Sequence, residues 1–400
     1  MAFVVPLQFP EARRCVIANV TAVRVNPPLE QAPLSECVGR VLARDLVADR
    51  DYPPLSRSIR DGFAVRRADL PGALRVVGEV RAGECYSGVV GQGEAVEIMT
   101  GAPVPAGADA VVMVERTHRD GNFVDMDELP ETGQFINPLG AEARRGLVLL
   151  EAGRRIDFAA VALAATIGET ALTVYRQPTV AILPTGDEIV PVDAVPLDFQ
   201  VRNSNAHSLA AQVALAGGRP KILPVAPDEP EETRRLTELG LESDLLLLSG
   251  GVSAGKYDVV EQVLASLGAQ FYFDRVLIQP GQPLVFGRAR DTFFFGLPGN
   301  PVSTMVTFAI FGRAALELLG GQTDVSLPIF EARLTTDFRH KPGLTRFLPA
   351  HLSPDGSELT PIPWRGSSDV PAMARANAFL VAGDERESWK AGERIGVLLK

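Results

Sequence analysis

Three short polar loops, each standing where an apolar run stops, carry the residue types that could do chemistry in this chain. In "ILPTGDEIV", Thr185, Gly186, Asp187 and Glu188 follow a strand-like run. Two adjacent carboxylates at the C-terminal end of a strand can hold Mg²⁺ or orient a bound nucleotide or hydroxyl. Taken alone, the same letters make an ordinary acidic turn. In "LLLLSGGVSAGKYDVV", Ser249, Gly250, Gly251, Val252 and Ser253 precede a helix expected from near Tyr257. Paired glycines let backbone N–H groups approach an oxyanion with no Cβ in the way, and a following helix N-terminus favours negative charge. The segment matches neither GxGxxG nor GxxxxGK[ST], so it is neither a dinucleotide fingerprint nor a P-loop. An anion-binding loop is preferred here over a bare turn. In "FFFGLPGNPVS", Pro298 and Gly299 make a tight corner, Asn300 suits an N-cap and Pro301 the first helical position. Capping accounts for that loop by itself; it does not explain why three strands end alike.

Such loops need a sheet to hold them at one level. Residues 176–322 alternate strand-like and helix-like runs, and the strand runs are apolar almost throughout, as in parallel strands covered on both faces. The expectation is a doubly wound α/β domain with its chemistry beyond the carboxyl ends of the strands. Residues 52–139 change texture to short β-like runs ("GFAVRRADL", "LRVVGEVRAG", "EAVEIMTG", "DAVVMVER") between glycine turns, a β-rich domain inserted in the chain. Residues 323–400 turn β again and are read as a C-terminal β barrel or sandwich. Residues 1–51 and 140–175 share a texture and are taken as one elongated, discontinuous module. Within it, "PLSECVGRVLARDLVA" suggests a capped amphipathic helix around Ser35 and Val38 to Leu42, and Gly168 ends an Ala-rich helix. The fold class is thus α/β plus β, multidomain.

The bulk numbers bound the function classes. A 400-residue chain with 46% hydrophobic and 22% charged residues has the composition of a folded multidomain protein. A formal net charge of −10 argues against sequence-independent nucleic-acid binding, which needs a basic surface. Cys15, Cys37 and Cys85 lack CxxC spacing, so they are expected as core residues and not as a zinc site or a disulfide framework. The start "MAFVVPLQFP" has no basic region and is broken by prolines, and no window approaches 18 uncharged apolar residues. A cytoplasmic protein without a membrane partner is expected.

Taken together, "DGFAV" (61–65), "IMTGAPVPAGADAVVMVE" (98–115), "PTGDEIV" (184–190), "NSNAHSLAAQV" (203–213), "SGGVSAG" (249–255), "PGQPLVFG" (280–287), "GLPGNPVS" (296–303) and "ARANAFL" (374–380) resemble the molybdopterin molybdenumtransferase family, to which the E domain of gephyrin belongs. The resemblance runs in order along nearly the whole chain. It implies a homodimer whose active site lies between the α/β domain of one subunit and the β-rich domain of the other. It implies insertion of molybdate into adenylated molybdopterin with Mg²⁺ assistance, release of AMP, and a molybdopterin adenylyltransferase as a partner. Asp61, Thr100, Glu188 and Asp258 would be catalytic, and Asp187 with Glu188 would hold the metal. The pterin and its phosphate would be cradled by Thr185, Gly186, Asp187, Ser249, Gly250, Gly251 and Ser253. The same cradle would include Gln279, Pro280 and Gly281, the corner Pro298, Gly299, Asn300, Pro301 and Ser303, and Ser367 with Ser368.

Several basic positions of the family pattern are replaced. Gln279 and Gln282 stand where basic residues are usual, and Leu344 and Pro349 stand for two arginines, with Arg346 between them. Asn137, Ala141 and Glu142 fall where an arginine and an acidic pair are usual, while Arg60 and Lys256 add charge elsewhere. Because a tetrahedral dianion leans on fixed cationic donors, a second reading follows: a paralogue that binds molybdopterin but does not insert molybdate, or has altered specificity.

Overall fold

The computed structural model describes residues 6–23, 27–127, 129–250 and 259–400. The chain divides into two compact units. One comprises residues 1–43, 153–157 and 173–400, and the other residues 44–152 and 158–172.

In the first unit a six-stranded sheet runs in the order Arg219–Ile222, Thr179–Pro184, Leu245–Ser249, Thr292–Leu297, Val285–Ala289, Gln270–Phe273. The first four strands are parallel. The last two add an antiparallel edge that the alternating pattern did not announce, because "PGQPLVFG" is short and opens on prolines. Strand residues alternate strictly between two cores. Val180, Ile182, Leu245, Leu247, Phe293 and Phe295 face one side, and Ala181, Leu183, Leu246, Leu248 and Phe294 the other. A strand buried on both faces therefore needs apolar residues at every position, which is why the runs looked continuous in sequence.

Helices Pro230–Gly240 and Val259–Ser266 cover the second face. Helix Ser204–Leu215 and the long helix from Pro301 to Leu319 cover the first. That long helix has 19 residues of mean hydropathy 1.5 and could cross a membrane by length and composition alone, yet 78% of its apolar window is buried in the fold. Its composition is that of a central core helix. Helix Phe9–Ala22 buries Phe9, Ala12, Val16 and Val20, at helical spacing, in the same core. Phe9 meets Phe311 and Phe347 edge to face.

The C-terminal strands close on themselves. Thr345–Leu352 pairs with Glu358–Pro361 and with Ala378–Ala382, and the ring is completed through Phe330–Leu334 and Arg394–Leu399. Closure removes the open edges that a five-stranded sheet would otherwise expose, and the expected barrel is observed. Strand Ile278–Gln279 adds to it in parallel, pairing Ile278 with Thr345 and Gln279 with Arg346.

The second unit holds another six-stranded sheet, ordered Ala110–Met113, Gly62–Val65, Glu94–Ile98, Leu74–Val80, Phe123–Met126, Thr117–Asp120. All four of the β-like runs picked out in this stretch form strands. The same unit pairs Leu46–Val47 with Val148–Leu150, and contains helix Phe158–Thr166 followed by Gly168 at φ +86°.

Two local expectations fail. No helix forms over Val38 to Leu42: a single turn at Leu34–Glu36 is followed by Gly39 at φ +80°, and Val41 and Leu42 bridge to Arg155 and Val174. The glycine conformation breaks the helix and tertiary pairing takes the backbone bonds. The cysteines are not uniformly core residues either; Cys37 is buried, Cys15 half-buried and Cys85 exposed.

Candidate functional site

Strand register brings the loops together. Pro184 is level with Ser249, and Ser249 with Leu297, so three neighbouring parallel strands end side by side. The loops are then tied to one another by the backbone, Thr185 N–H donating to Ser249 O (3.1 Å), Gly250 N–H to Leu297 O (3.2 Å) and Gly186 N–H to Ala226 O (3.1 Å). Two glycines are obligatory here. Gly250 sits at φ +99° with Thr185 O 2.7 Å from where its Cβ would be, and Gly186 at φ +128° lies against the Glu188 carboxylate. A side chain at either would have to displace backbone or carboxylate.

These loops wall a cavity of about 650 Å³ at the carboxyl edge of the sheet. Thr185, Glu188, Ser249, Gly250, the corner Pro298 to Pro301, and Ser368 line it, all anticipated from sequence. Gly186, Asp187, Gln279, Pro280, Gly281, Ser303 and Ser367 are near in the chain but do not line it. Ser367 still contributes, since its carbonyl accepts the Val302 N–H at 2.9 Å and anchors the helix start. Gly281, at φ +102°, is pressed against Thr307 of that helix. Gly251, Ser253, Lys256 and Asp258 lie outside the described residues.

Asn300 takes the N-cap position, but its side chain makes no capping bond and is exposed. The corner is stabilised from below instead, by Thr304 Oγ1 donating to Pro298 O (2.5 Å). Asn300 is thereby left to the cavity.

Sequence reasoning missed the opposite wall, formed by Arg202, Asn203, Ser204 and Asn205. Asn203 caps helix Ser204–Leu215 by accepting the Ala206 N–H. Asn205 stands on the first turn of that helix and donates to both Ser249 Oγ (3.0 Å) and Gly299 O (2.8 Å), joining two of the three loops. The cap motif "NSN" was the available signal. Two buried polar atoms of the site have no partner among the described residues: Thr185 Oγ1 and Asn205 Oδ1. Buried polar groups are rarely left so, and each marks a place where a ligand would complete the bonding.

Electrostatically, one end of the site is acidic. Asp228 N–H donates to Asp187 Oδ1 (3.1 Å). Burial, reinforced by the charges of Asp187 and Glu188, pushes the Asp228 carboxyl above its ordinary value. Among the described residues no group of three or more His, Cys, Asp and Glu side chains is spaced to hold a metal ion. Magnesium, however, is commonly held by one or two carboxylates with substrate phosphates and water filling the remainder; Glu188 lines the cavity and could serve so, while Asp187 stands beside it and accepts the Asp228 N–H.

In the second unit Asp61 and Thr100 are brought together. The Thr100 N–H and hydroxyl both donate to Asp61 Oδ1, at 2.6 and 2.7 Å, and these bonds hold the carboxyl below its usual value. Arg60 lies over the Phe135 ring, and Asn137 donates to Glu142 Oε1 at 3.0 Å.

Family models match in the same order along the chain: the MoeA N-terminal region (domain I and II) over residues 7–168, a probable molybdopterin binding domain over 181–318, and the MoeA C-terminal region (domain IV) over 331–400. The molybdopterin molybdenumtransferase of Bacillus subtilis (strain 168) is 35% identical over 385 residues, covering 92% of this chain and 89% of its own length. The chain belongs to the molybdopterin molybdenumtransferase family. The family member from Staphylococcus aureus (strain N315) is 31% identical over 96% of this chain and 94% of its own. A crystal structure of the molybdopterin biosynthesis MoeA protein from Pyrococcus horikoshii OT3 superposes with a TM-score of 0.83 at 26% identity, over 99% of this chain and 100% of that one. Within the family frame, every residue named above as lining the cavity falls in the span matched as a probable molybdopterin binding domain, except Ser368, which comes from the C-terminal region.

Proposed function

We propose that this chain binds adenylated molybdopterin in the glycine-edged cavity, inserts molybdate into it and releases AMP, forming the molybdenum cofactor. The observation that carries the reading is a cavity walled by three strand-end loops, with Thr185 Oγ1 and Asn205 Oδ1 beside it, buried and without a partner among the described residues. The names of the relatives and the match to a probable molybdopterin binding domain support it.

In this reading the Thr185–Gly186, Ser249–Gly250 and Pro298–Pro301 loops present backbone N–H groups and small side chains to pterin and phosphate oxygens, where a Cβ would obstruct. Gly251 and Ser253, outside the described residues, would contribute to the same cradle; Ser303, Ser367 and Ser368 border the third loop, and Gln279, Pro280 and Gly281 would take the same role. Asp187 and Glu188 would hold Mg²⁺, which when bound neutralises charge on the phosphate oxygens. Asp258, outside the described residues, would act with Glu188 in catalysis. Asp61, kept ionised by Thr100, would come from the other subunit of a homodimer to orient the reacting groups. The chemistry requires a molybdopterin adenylyltransferase upstream, and the reading places both in the cytoplasm.

The test is AMP release from adenylated molybdopterin by pure protein with Mg²⁺. Release that depends on added molybdate is expected, and none with molybdate present would overturn the reading. Gln279 and Gln282, which lack the charge of a lysine, favour a second reading as a pterin-binding paralogue without molybdate chemistry. Calorimetry separates the two: tight pterin binding without turnover, and turnover gained on Gln279→Lys, would establish the paralogue.

A further inference from the structure

We infer that Arg346, which does not itself line the cavity, is an anion-gripping cation at its Gln279–Pro283 margin, carrying from the neighbouring strand the charge that position 279 lacks, with Gln279 and His340 as the residues that position it. The inference rests on the transferase reading for the identity of the anion, molybdate. The cation itself is argued from geometry.

Gln279 and Arg346 are register partners in adjacent parallel strands. Their side chains meet, the Arg346 Nη1–H donating to Gln279 Oε1. Arg346 Nε–H donates to His340 Nδ1 at 2.9 Å, and Nη2–H reaches Lys341 O at 3.5 Å. All three acceptors are neutral. Because His340 Nδ1 accepts, the imidazole proton sits on Nε2 and the ring is uncharged. Among the described residues no carboxylate pairs with Arg346, and burial alone lowers its pKa, with no neighbouring anion to offset it.

A half-buried guanidinium held only by neutral groups is costly unless an anion completes it. Three of its five N–H donors are engaged, leaving one on each terminal nitrogen, the arrangement that grips an oxyanion bidentately. His340 beside it is only 7% exposed, its ring set against the backbone carbonyls of Lys341, Gly383 and Arg386. From Gln279 the chain runs through Pro280 and Gly281 to Pro283, which lines the cavity. The charge is thus moved across the strand pair and not deleted, and a glutamine at 279 is the residue that can accept a bond from the arginine where a lysine would repel it.

The experiment is calorimetric titration of the full-length protein with molybdate, and separately with adenylated molybdopterin. Arg346→Gln is expected to weaken molybdate binding about tenfold or more, the scale of one lost charge-assisted bond pair, with pterin affinity little changed. The charge swap, Gln279→Lys with Arg346→Gln, returns molybdate affinity to within a few-fold of native, and carries the test if the single variant folds poorly. His340→Asn, which keeps an acceptor near Nδ1, retains molybdate affinity, whereas His340→Ala loses it. Native molybdate affinity in Arg346→Gln, or a swap that restores nothing, overturns the inference. The two readings fail separately: the predicted affinities without molybdate-dependent AMP release would remove the transferase and keep the anion site, and AMP release with Arg346→Gln at native affinity would do the reverse.

Discussion

At the residue scale, the informative groups are those left incomplete by the fold. Thr185 Oγ1 is buried and bonds nothing among the described residues, so Thr185→Val removes a polar atom of nearly the same shape without costing a hydrogen bond to any of them. The unfolding midpoint of this variant should hold or rise, because an unsatisfied buried hydroxyl is itself costly. Affinity for adenylated molybdopterin should fall about tenfold, the worth of one buried hydrogen bond to a charged or strongly polar partner. Unaltered affinity in calorimetry would remove Thr185 from the pterin contacts. His340 gives a pH prediction. Burial, then the charge of Arg346, depresses its pKa in the folded state. The unfolded chain therefore binds the proton more readily, so the contribution of His340 is fully present above its ordinary value of about 6.5 and is lost as pH falls from there toward the folded value. Thermal unfolding followed from about pH 7.5 to about pH 5.5 should show a steeper decline for the native protein than for His340→Asn, since only the native side chain titrates across the histidine range. Parallel declines would show that His340 does not carry that dependence.

At the element scale, the site depends on three strands ending at one level, and that level is set by packing beneath them. Phe295 is fully buried in the strand Thr292–Leu297 and stacks on Phe286 at 4.7 Å. Phe295→Ala should cost about 3 to 5 kcal/mol in denaturant unfolding, from lost transfer energy and the cavity left behind. A loss under about 1 kcal/mol would mean that the core refills the space. Much of this level was legible in the sequence. Continuous apolar runs announced parallel buried strands, and the Gly-rich polar loops at their ends announced the cavity. The antiparallel strand Val285–Ala289 was not legible, because a short run opening on prolines carries little periodicity. Nor was the failure of the helix over Val38 to Leu42, where tertiary bridges to Arg155 and Val174 override the local pattern.

At the scale of the whole molecule, the proposed chemistry spans two subunits. Asp61 and Thr100 belong to one compact unit and the cavity loops to the other; the homodimer with shared sites is proposed from the family resemblance. If so, Asp61→Ala and Gly250→Ala proteins should each be inactive alone, while a mixed dimer formed by dissociating and reassociating the two should recover part of the molybdate-dependent AMP release. That mixed dimer contains one site with both native contributions. No recovery from mixtures shown by mass to contain the heterodimer would place the Asp61 contribution within its own subunit.

By itself the sequence determined what is local or repeated at fixed spacing. It specified the strand-end loops with their glycines and prolines, the Asn300–Pro301 helix start, the paired carboxylates Asp187 and Glu188, and the ordered set of segments that marks the family. Each of these is a property of a few consecutive residues, whose backbone preferences and side chains act at short range. Only the tertiary structure decided which distant residues complete them. Asn205 joins Ser249 to Gly299 across separations of 44 and 94 residues, and Arg346 meets Gln279 across 67. The closed ring of C-terminal strands fixes that last pairing, since a one-residue slip of register would turn the Arg346 side chain to the opposite face. The replaced basic positions looked in sequence like charge removed. In the fold, a neighbouring strand holds beside that position a guanidinium with no carboxylate partner among the described residues.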